Sequence, residues 1–237
     1  SVDELRKHPW PEPDWWDFSG MPAALAALNG DGAAPHVRYR MGSVFEVAWQ
    51  LRGMDNFMMD LALNPDMASY LLGQLADILA ETSDRALAAA GDGVDMVYFY
   101  DDVAANNGLM LSEDMWEEFI MPHHRRLCEV ARKHGKKVMY HSDGDLGVII
   151  NRLIDDVGID VLNPLQPNTV GMEPAKLKRE HGSRLAFHGG IDIIGLLPKG
   201  TPDQVRDAVQ DIARVLGENG GYIMARSHQI QPETPLA

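Results

Sequence analysis

The sequence has very little cysteine and no long hydrophobic run. Cys128 is the one cysteine among the 237 residues, so an intrachain disulfide and a cluster of thiolate metal ligands are both excluded. No stretch reaches the roughly 18 consecutive apolar residues of a transmembrane helix, and the first 16 residues carry Pro, Asp and Glu where a secretion signal has its apolar core. The sequence therefore predicts a soluble, cytoplasmic protein in which any metal is held by His, Asp or Glu.

Positive charge is also scarce. The 21 Lys and Arg residues are outnumbered by 35 Asp and Glu, which gives a formal net charge of -14 at pH 7. A negative surface of this kind repels nucleic acid and anionic lipid headgroups, so we expect neither nucleic acid nor a membrane as a partner. Glycine-rich phosphate loops of the GxGxxG or Walker type are missing after every predicted strand, which disfavours a nucleotide-binding doubly wound sheet.

Short apolar runs alternate with amphipathic stretches of helical period. The runs have strand length and lie at 37–41, 96–100, 137–140, 161–163, 185–188 and 222–225. Helices are predicted over 65–90, from a cap at Ser112 to Gly135, and from a cap at Thr201 onward. Because strand and helix alternate without a hairpin signal between them, we expect the strands to be parallel.

Polar side chains follow nearly every predicted strand. They are Asp101, Asp102, His141, Asp143, Asn163, Gln166, His188, Asp192, Ser227 and His228. In a (β/α)8 barrel, the carboxyl ends of all the strands meet around one pocket. The sequence therefore predicts an α/β fold of the (β/α)8, or TIM, barrel type with an active site at that edge.

About six strand–helix units are recognisable, fewer than a complete barrel has. The sequence starts without Met and stops shortly after Pro235. We therefore expect residues 1–237 to form a single barrel domain that lacks its first strand–helix units and whose C-terminus is cut short.

The sharpest local signal is the segment His141, Ser142, Asp143, Gly144. Side chains two residues apart at a strand end point to the same side, so His141 and Asp143 could hold one ion together, with His228 as a third ligand. Two imidazoles and one carboxylate suit zinc, or iron if coordination positions stay open. The alternative is that these residues are hydrogen-bonded loop groups that cap the following helices.

Two further strand ends carry candidate substrate-binding residues. Asp101 and Asp102 are adjacent acids that cannot both be buried and ionised without a cation or donor nearby, so one of them is expected to face the pocket. His188 is followed by Gly189 and Gly190, which allow the backbone to approach a ligand closely. The alternatives are capping or surface acids in the first case and a tight turn that serves only the fold in the second.

Four segments together resemble the uroporphyrinogen decarboxylase superfamily, and most closely its cobalamin-dependent methyltransferases. They span most of residues 94–236 and read YDDVAANNGLMLSEDMWEEFIMPHHRRL, VMYHSDGDLGVIINRLIDDVGIDVLNPLQP, RLAFHGGIDIIGLLPKGTPDQVRD and GGYIMARSHQIQPETPL. The resemblance implies a (β/α)8 barrel. In the methyltransferases, a His-x-Cys pair and a later Cys hold zinc, which activates a thiol that receives a methyl group from a corrinoid.

In this sequence, the same three positions are His141, Asp143 and His228. Both cysteines of the family pattern are thus replaced by harder ligands that still bind zinc. Water, an alcohol or a phenol could be activated in place of a thiol.

The resemblance implies a methyltransferase that uses a small-molecule substrate, zinc, and a corrinoid or a corrinoid protein. The expected catalytic residues are Asp102, His141, His188 and His228. The expected substrate-binding residues are Asp101, Asn163, Gln166, Asp192 and Arg226. One alternative is a uroporphyrinogen decarboxylase or a decarboxylase-like enzyme, although Arg226 would be the lone cation near these strand ends to face a substrate rich in carboxylates. A second alternative is a catalytically silent barrel that binds a ligand or a corrinoid protein.

Overall fold

The computed structural model describes residues 1–28 and 35–235, and it confirms an α/β fold with parallel strands. Its strand–helix alternation is that of part of a (β/α)8 barrel, as the sequence predicts. The chain divides into two compact units. The first comprises Ser1–Asp101, Ser112–Val138 and Asp156–Gly158, and the second comprises Asp102–Leu111, Met139–Asp155 and Ile159–Ala237. The assignment of the whole chain to one barrel domain stays a prediction.

The strands of the described residues are β1 (Arg38–Gly42), β2 (Met96–Tyr100), β3 (Ala104–Ala105), β4 (Gly108–Leu109), β5 (Lys137–His141), β6 (Val161–Leu165), β7 (Ala186–Ile191) and β8 (Tyr222–Arg226). The α-helices are α1 (Val2–Lys7), α2 (Met21–Leu28), α3 (Phe45–Arg52), α4 (Met54–Leu63), α5 (Pro65–Ala90), α6 (Glu113–Phe119), α7 (Met121–Lys133), α8 (Ile150–Arg152), α9 (Pro174–His181), α10 (Leu196–Lys199) and α11 (Pro202–Gly217). Short 3-10 turns lie at Pro13–Trp15, Gly91–Gly93 and Val170–Met172, and a π-helical turn at Leu153–Val157.

The long helix α5 has the bounds that its sequence period predicts. Pro65 occupies its first turn, where the missing N–H costs nothing, and Gly91 follows its end with a φ of 55° that favours glycine. Leucine and alanine side chains at three- and four-residue steps form its buried face. The apolar period alone therefore fixes which side of this helix faces the core of the first unit.

The helix predicted from Ser112 to Gly135 is divided into α6 and α7 at Ile120. Ser112 caps α6 as expected, because its hydroxyl accepts a hydrogen bond from the Met115 amide. Pro122 lacks an amide hydrogen and is tolerated only in the first turn of a helix, so a new helix starts there. The buried face of α7 includes His124 and Cys128, and α7 packs against α5 within the first unit.

Asp101 organises the interior of the first unit. Its side chain is 0% exposed, and it accepts hydrogen bonds from the amides of Val44, Phe45 and Glu46 and from the Ser43 hydroxyl. These amides belong to the start of α3, where a negative charge is stabilising. His124 Nε2 lies 2.9 Å from Asp101 Oδ2, the oxygen that also accepts from the Val44 and Phe45 amides. The Asp101 oxygens are therefore committed to the fold, and the substrate-binding role expected of Asp101 stays a prediction.

The second unit holds the end of β5, from Met139, together with β6, β7 and β8, which pair in parallel in that order. All five residues of β6 are buried, as expected for a parallel strand that is covered on both faces. The apolar runs predict that β6 ends at Asn163 and β7 at His188, whereas the strands continue to Leu165 and Ile191. Pairing with neighbouring strands outweighs the breaking tendency of Pro164, Gly189 and Gly190, so Asn163 and His188 lie within strands rather than at their ends.

A small antiparallel hairpin, β3–β4, was not predicted. Ala104 pairs with Leu109 and Ala105 with Gly108. The intervening Asn106 and Asn107 are residues that favour tight turns, so the signal was present in the sequence. In the described residues, no helix combines the length and the apolar character that a membrane crossing requires.

Replacing Asp101 with alanine is expected to lower the free energy of unfolding by about 3 kcal/mol, because the α3 amides and His124 lose a buried charged partner. Burial raises the pKa of the Asp101 carboxyl, but His124 and the amides of Phe45 and Glu46 lower it by more. The net result is a pKa below the ordinary value of 3.8. The wild type therefore gains its full advantage above pH 3.8 and loses it as the pH falls through the lower folded-state pKa.

Urea denaturation at several pH values checks this prediction. Asp92→Ala is the matched control, since Asp92 is an exposed aspartate of the same unit and its loss should change stability by less than about 0.5 kcal/mol. Equal stability of the two variants at pH 7 would contradict the role given to Asp101.

Candidate functional site

Three side chains of the second unit come together as the sequence predicts. His141 is the last residue of β5, Asp143 follows two residues later, and His228 lies two residues beyond β8. One nitrogen of each imidazole and one oxygen of the carboxylate all lie within 4.8 Å of one another. We call these three residues the His-Asp-His cluster.

Asp143 lies between the two imidazoles. His141 Nε2 is 3.8 Å from Asp143 Oδ1, and His228 Nε2 is 3.8 Å from Asp143 Oδ2. Both separations exceed a hydrogen bond. Two ligands of one zinc ion, each about 2.0–2.1 Å from the metal, stand about 3.3 Å apart. A small contraction of the cluster would therefore bring its atoms to metal-ligand distances.

The Asp143 carboxylate is poorly compensated. Among the described residues, its buried Oδ1 atom has no hydrogen-bond partner. Burial raises the pKa of the Asp143 carboxyl, and the neighbouring Asp102 raises it further, while His141 and His228 act in the opposite direction. Since an unsatisfied buried oxygen is costly, a cation at this position would be stabilised. Two neutral imidazoles and a carboxylate form a donor set that fits zinc.

Asp102 stands at the edge of the cluster. Its Oδ1 atom accepts a hydrogen bond from the Asp143 amide at 2.8 Å and lies 3.7 Å from His141 Nε2. The side chain is 38% exposed, so the carboxylate is accessible as well as close. Of the two adjacent acids, Asp102 is thus the one beside the cluster.

The backbone around Asp143 is fixed from several directions. The hydroxyl of Ser142 accepts a hydrogen bond from the Val103 amide, and the Gly144 amide donates to Gln166 Oε1 at 2.6 Å. Gly144 has a φ of 89°, and a Cβ there would lie 2.6 Å from the Ala105 carbonyl oxygen. A side chain at residue 144 would therefore disturb the loop that carries Asp143.

Asn163 connects His141 to a further histidine, His188. Asn163 Oδ1 lies 2.7 Å from His141 Nδ1, and Asn163 Nδ2 is hydrogen-bonded to His188 Nδ1. His141 and Asn163 are register partners on neighbouring strands. The expected substrate ligand Asn163 is therefore engaged with two imidazoles, and Gln166 with the loop that carries Asp143.

Two other expected substrate ligands are placed differently. The carboxylate of Asp192 accepts hydrogen bonds from the amides of Ile194, Gly195 and Leu196, so it caps its own turn. Arg226 is exposed and donates to the His228 carbonyl oxygen at 3.0 Å. Asp192 thus has a local structural role, whereas Arg226 contacts the backbone of the cluster residue His228. The positioning roles of Ser142 and Gly144 were not predicted, although both residues lie next to Asp143 in the chain.

The sequence of the chain matches one protein family and several characterised relatives. The family profile described as "Uroporphyrinogen decarboxylase (URO-D)" matches residues 39–237. The methylated-thiol–coenzyme M methyltransferase of Methanosarcina mazei is 25% identical over 206 residues, which cover 84% of this chain and 52% of that protein. The uroporphyrinogen decarboxylase of Coxiella burnetii is 26% identical over 179 residues, which cover 73% of this chain and 45% of that protein. The chain therefore spans about half the length of these relatives.

A similar fold occurs in a solved structure. A methyltransferase from Methanosarcina mazei superposes with a TM-score of 0.66 at 21% sequence identity, covering 91% of this chain and 60% of that one. At this identity, the likeness establishes the fold alone.

Replacing Gly144 with alanine is expected to lower the free energy of unfolding by about 2 kcal/mol, because the new Cβ meets the backbone of Ala104 and Ala105 in a conformation that disfavours L-residues. Gly73→Ala is the control: Gly73 lies within α5 with no atom near its added Cβ, so this change should stabilise by about 0.5–1 kcal/mol. Thermal and urea denaturation measure both effects. A neutral Gly144→Ala variant would contradict the tight loop.

Asp143→Asn is expected to stabilise the metal-free protein by about 1 kcal/mol at pH 7, because it removes a half-buried charge. The raised pKa of Asp143 means that ionisation weakens the folded state as the pH rises above 3.8, so the gain should disappear in acid. Asp145→Asn is the control, since both Asp145 oxygens accept backbone amides and this variant should lose stability. Urea denaturation in a chelator measures both, and destabilisation by Asp143→Asn would refute this account of the charge.

Proposed function

The chain belongs to the uroporphyrinogen decarboxylase (URO-D) family, and from that premise we propose that it is a metal-dependent methyltransferase. It would move a methyl group between a corrinoid and a small-molecule acceptor bound beside the His-Asp-His cluster. The observation that carries this proposal is the cluster itself, with a buried Asp143 oxygen that has no hydrogen-bond partner among the described residues. The similarity to a methyltransferase in both sequence and fold supports it.

His141, Asp143 and His228 would hold the metal, for which zinc is the best fit. When bound, zinc supplies a positive charge that lowers the pKa of a thiol, alcohol, phenol or water beside it. Three protein ligands leave room for such an acceptor, as in other catalytic zinc sites. His141 and His228 contribute neutral nitrogen lone pairs and Asp143 contributes the one negative charge.

Asp102 would receive the proton of the acceptor. Its accessible carboxylate lies 3.7 Å from His141 Nε2 and is anchored by the Asp143 amide. When bound, a methylated corrinoid would supply the methyl group and keep the electron pair of its bond to the methyl carbon. The acceptor proton passes to Asp102, so the charges balance without a further reactant.

The ligand set favours an oxygen acceptor. The relative from Methanosarcina mazei is named for a methylated thiol and coenzyme M, and in the methyltransferases that the sequence resembles, sulfur ligands hold the zinc. Here a carboxylate and an imidazole replace the two cysteines, which makes the site harder. A hard site suits an alcohol, a phenol or water. The corrinoid would come free or bound to a partner protein.

A decarboxylase is the second candidate, because the uroporphyrinogen decarboxylase of Coxiella burnetii is equally similar in sequence. The side chains nearest the cluster argue against a polycarboxylate substrate, since Asp102 and Asp143 would repel it. A barrel that binds a corrinoid protein without turnover is the third candidate.

We expect the purified protein to bind one Zn²⁺ per chain and to transfer the methyl group of methylcobalamin to a phenol or an alcohol. His141→Ala and His228→Ala should weaken zinc binding by more than the roughly 10–100-fold that loss of an outer partner causes, and both should abolish turnover. His36→Ala, which removes an exposed histidine of the first unit, should leave affinity and rate unchanged. Calorimetric titration with Zn²⁺ and the absorbance change of methylcobalamin measure the two quantities.

The other outcomes separate the candidates. Absence of stoichiometric zinc together with full turnover by His141→Ala would refute the metal-dependent mechanism. Decarboxylation of uroporphyrinogen by metal-free protein would establish the second candidate. Tight corrinoid binding without turnover by the zinc-loaded protein would establish the third.

A further inference from the structure

The Asn163 side chain touches two histidines at once. Its Oδ1 atom lies 2.7 Å from His141 Nδ1, and its Nδ2 atom is hydrogen-bonded to His188 Nδ1. Asn163 is only 7% exposed, and its place opposite His141 is set by strand register. Water therefore has little access to this amide, and its two ends cannot exchange partners freely.

An amide has unlike ends. Its oxygen only accepts hydrogen bonds and its nitrogen only donates them, whereas a neutral imidazole carries one proton that resides on either nitrogen. His141 must therefore donate from Nδ1 to Asn163 Oδ1, which leaves a lone pair on Nε2. His188 must accept at Nδ1 from Asn163 Nδ2, which leaves its proton on Nε2. The two rings thus adopt opposite tautomers because one side chain lies between them.

A rotated amide would reverse both tautomers and put a proton on His141 Nε2. That proton would face Asp102 Oδ1 and Asp143 Oδ1, and a charge-assisted hydrogen bond to either would be about 2.7–2.9 Å long. The observed separations are 3.7 and 3.8 Å. Neither separation is that of a hydrogen bond from Nε2 to these two carboxylates.

We propose that Asn163 is a positioning residue that sets the tautomers of His141 and His188 in opposite senses. His141 then presents a lone pair to the His-Asp-His cluster without any rearrangement, and His188 carries an N–H donor at Nε2. The value of this arrangement for catalysis rests on the proposed function. The tautomers themselves are properties of the metal-free protein and are tested there.

The test is ¹⁵N–¹H correlation NMR of the imidazole rings in metal-free protein at about pH 8.5, about two units above the ordinary pKa of histidine. Two-bond correlations distinguish a ring protonated on Nδ1 from one protonated on Nε2, and His141→Gln and His188→Gln assign the signals among the nine histidines. We expect His141 in the Nδ1–H form and His188 in the Nε2–H form. The reverse pair, or the same tautomer in both rings, would overturn the proposal.

Two variants of Asn163 sharpen the test. In Asn163→Asp, both ends accept, so His141 should keep its proton on Nδ1 while His188 moves its proton from Nε2 to Nδ1. In Asn163→Leu, neither contact remains, and Zn²⁺ affinity should fall by roughly 10–100-fold, whereas Asn163→Asp should keep it. A purely structural Asn163 would leave the His188 tautomer unchanged in Asn163→Asp, and circular dichroism shows which variants are folded.

Failure of this proposal is distinguishable from failure of the proposed function. Opposite tautomers in a protein that binds no Zn²⁺ would support the role of Asn163 and refute the metal-dependent mechanism. Zinc binding with a His141 ring protonated on Nε2 before metal is added would refute the role of Asn163 alone.

Discussion

The uncompensated charge of Asp143 is the constraint around which the second unit is arranged. The carboxylate is half-buried and stands between two imidazoles at distances too long for hydrogen bonds. The backbone on either side is anchored through Ser142 and Gly144, which fixes the point from which the side chain extends. An acid that is held in an unfavourable position at a cost in stability is typical of a functional site.

The adjacent acids Asp101 and Asp102 show how one strand end serves two purposes. Asp101 is fully buried and holds the start of α3 together with His124. Asp102, the next residue, fixes the Asp143 amide and keeps an accessible carboxylate. Successive side chains of an extended chain point to opposite sides, so the two adjacent carboxylates have separate roles.

Much of this organisation was readable from the sequence, because it depends on local rules. The apolar period predicted α5 to its last residue, and Ser112 and Thr201 cap their helices as expected. The spacing of His141 and Asp143 predicted their proximity, and the barrel hypothesis brought His228 to them. The roles of Asp101 and Asp192 were not readable. A carboxylate is available to a substrate only if no backbone amide claims it, and that depends on contacts such as those of Asp101 with a segment more than 50 residues away.

The single cysteine is buried in the protein. Cys128 is 0% exposed and lies on the buried face of α7, in the unit that does not hold the His-Asp-His cluster. A thiol enclosed in this way reacts with an alkylating reagent only during moments when the surrounding structure opens. The alkylation rate of Cys128 therefore reports how often the first unit opens locally, and no other thiol of the sequence contributes to the signal. Measured with and without metal, this rate would show whether binding at the His-Asp-His cluster changes the opening of the first unit.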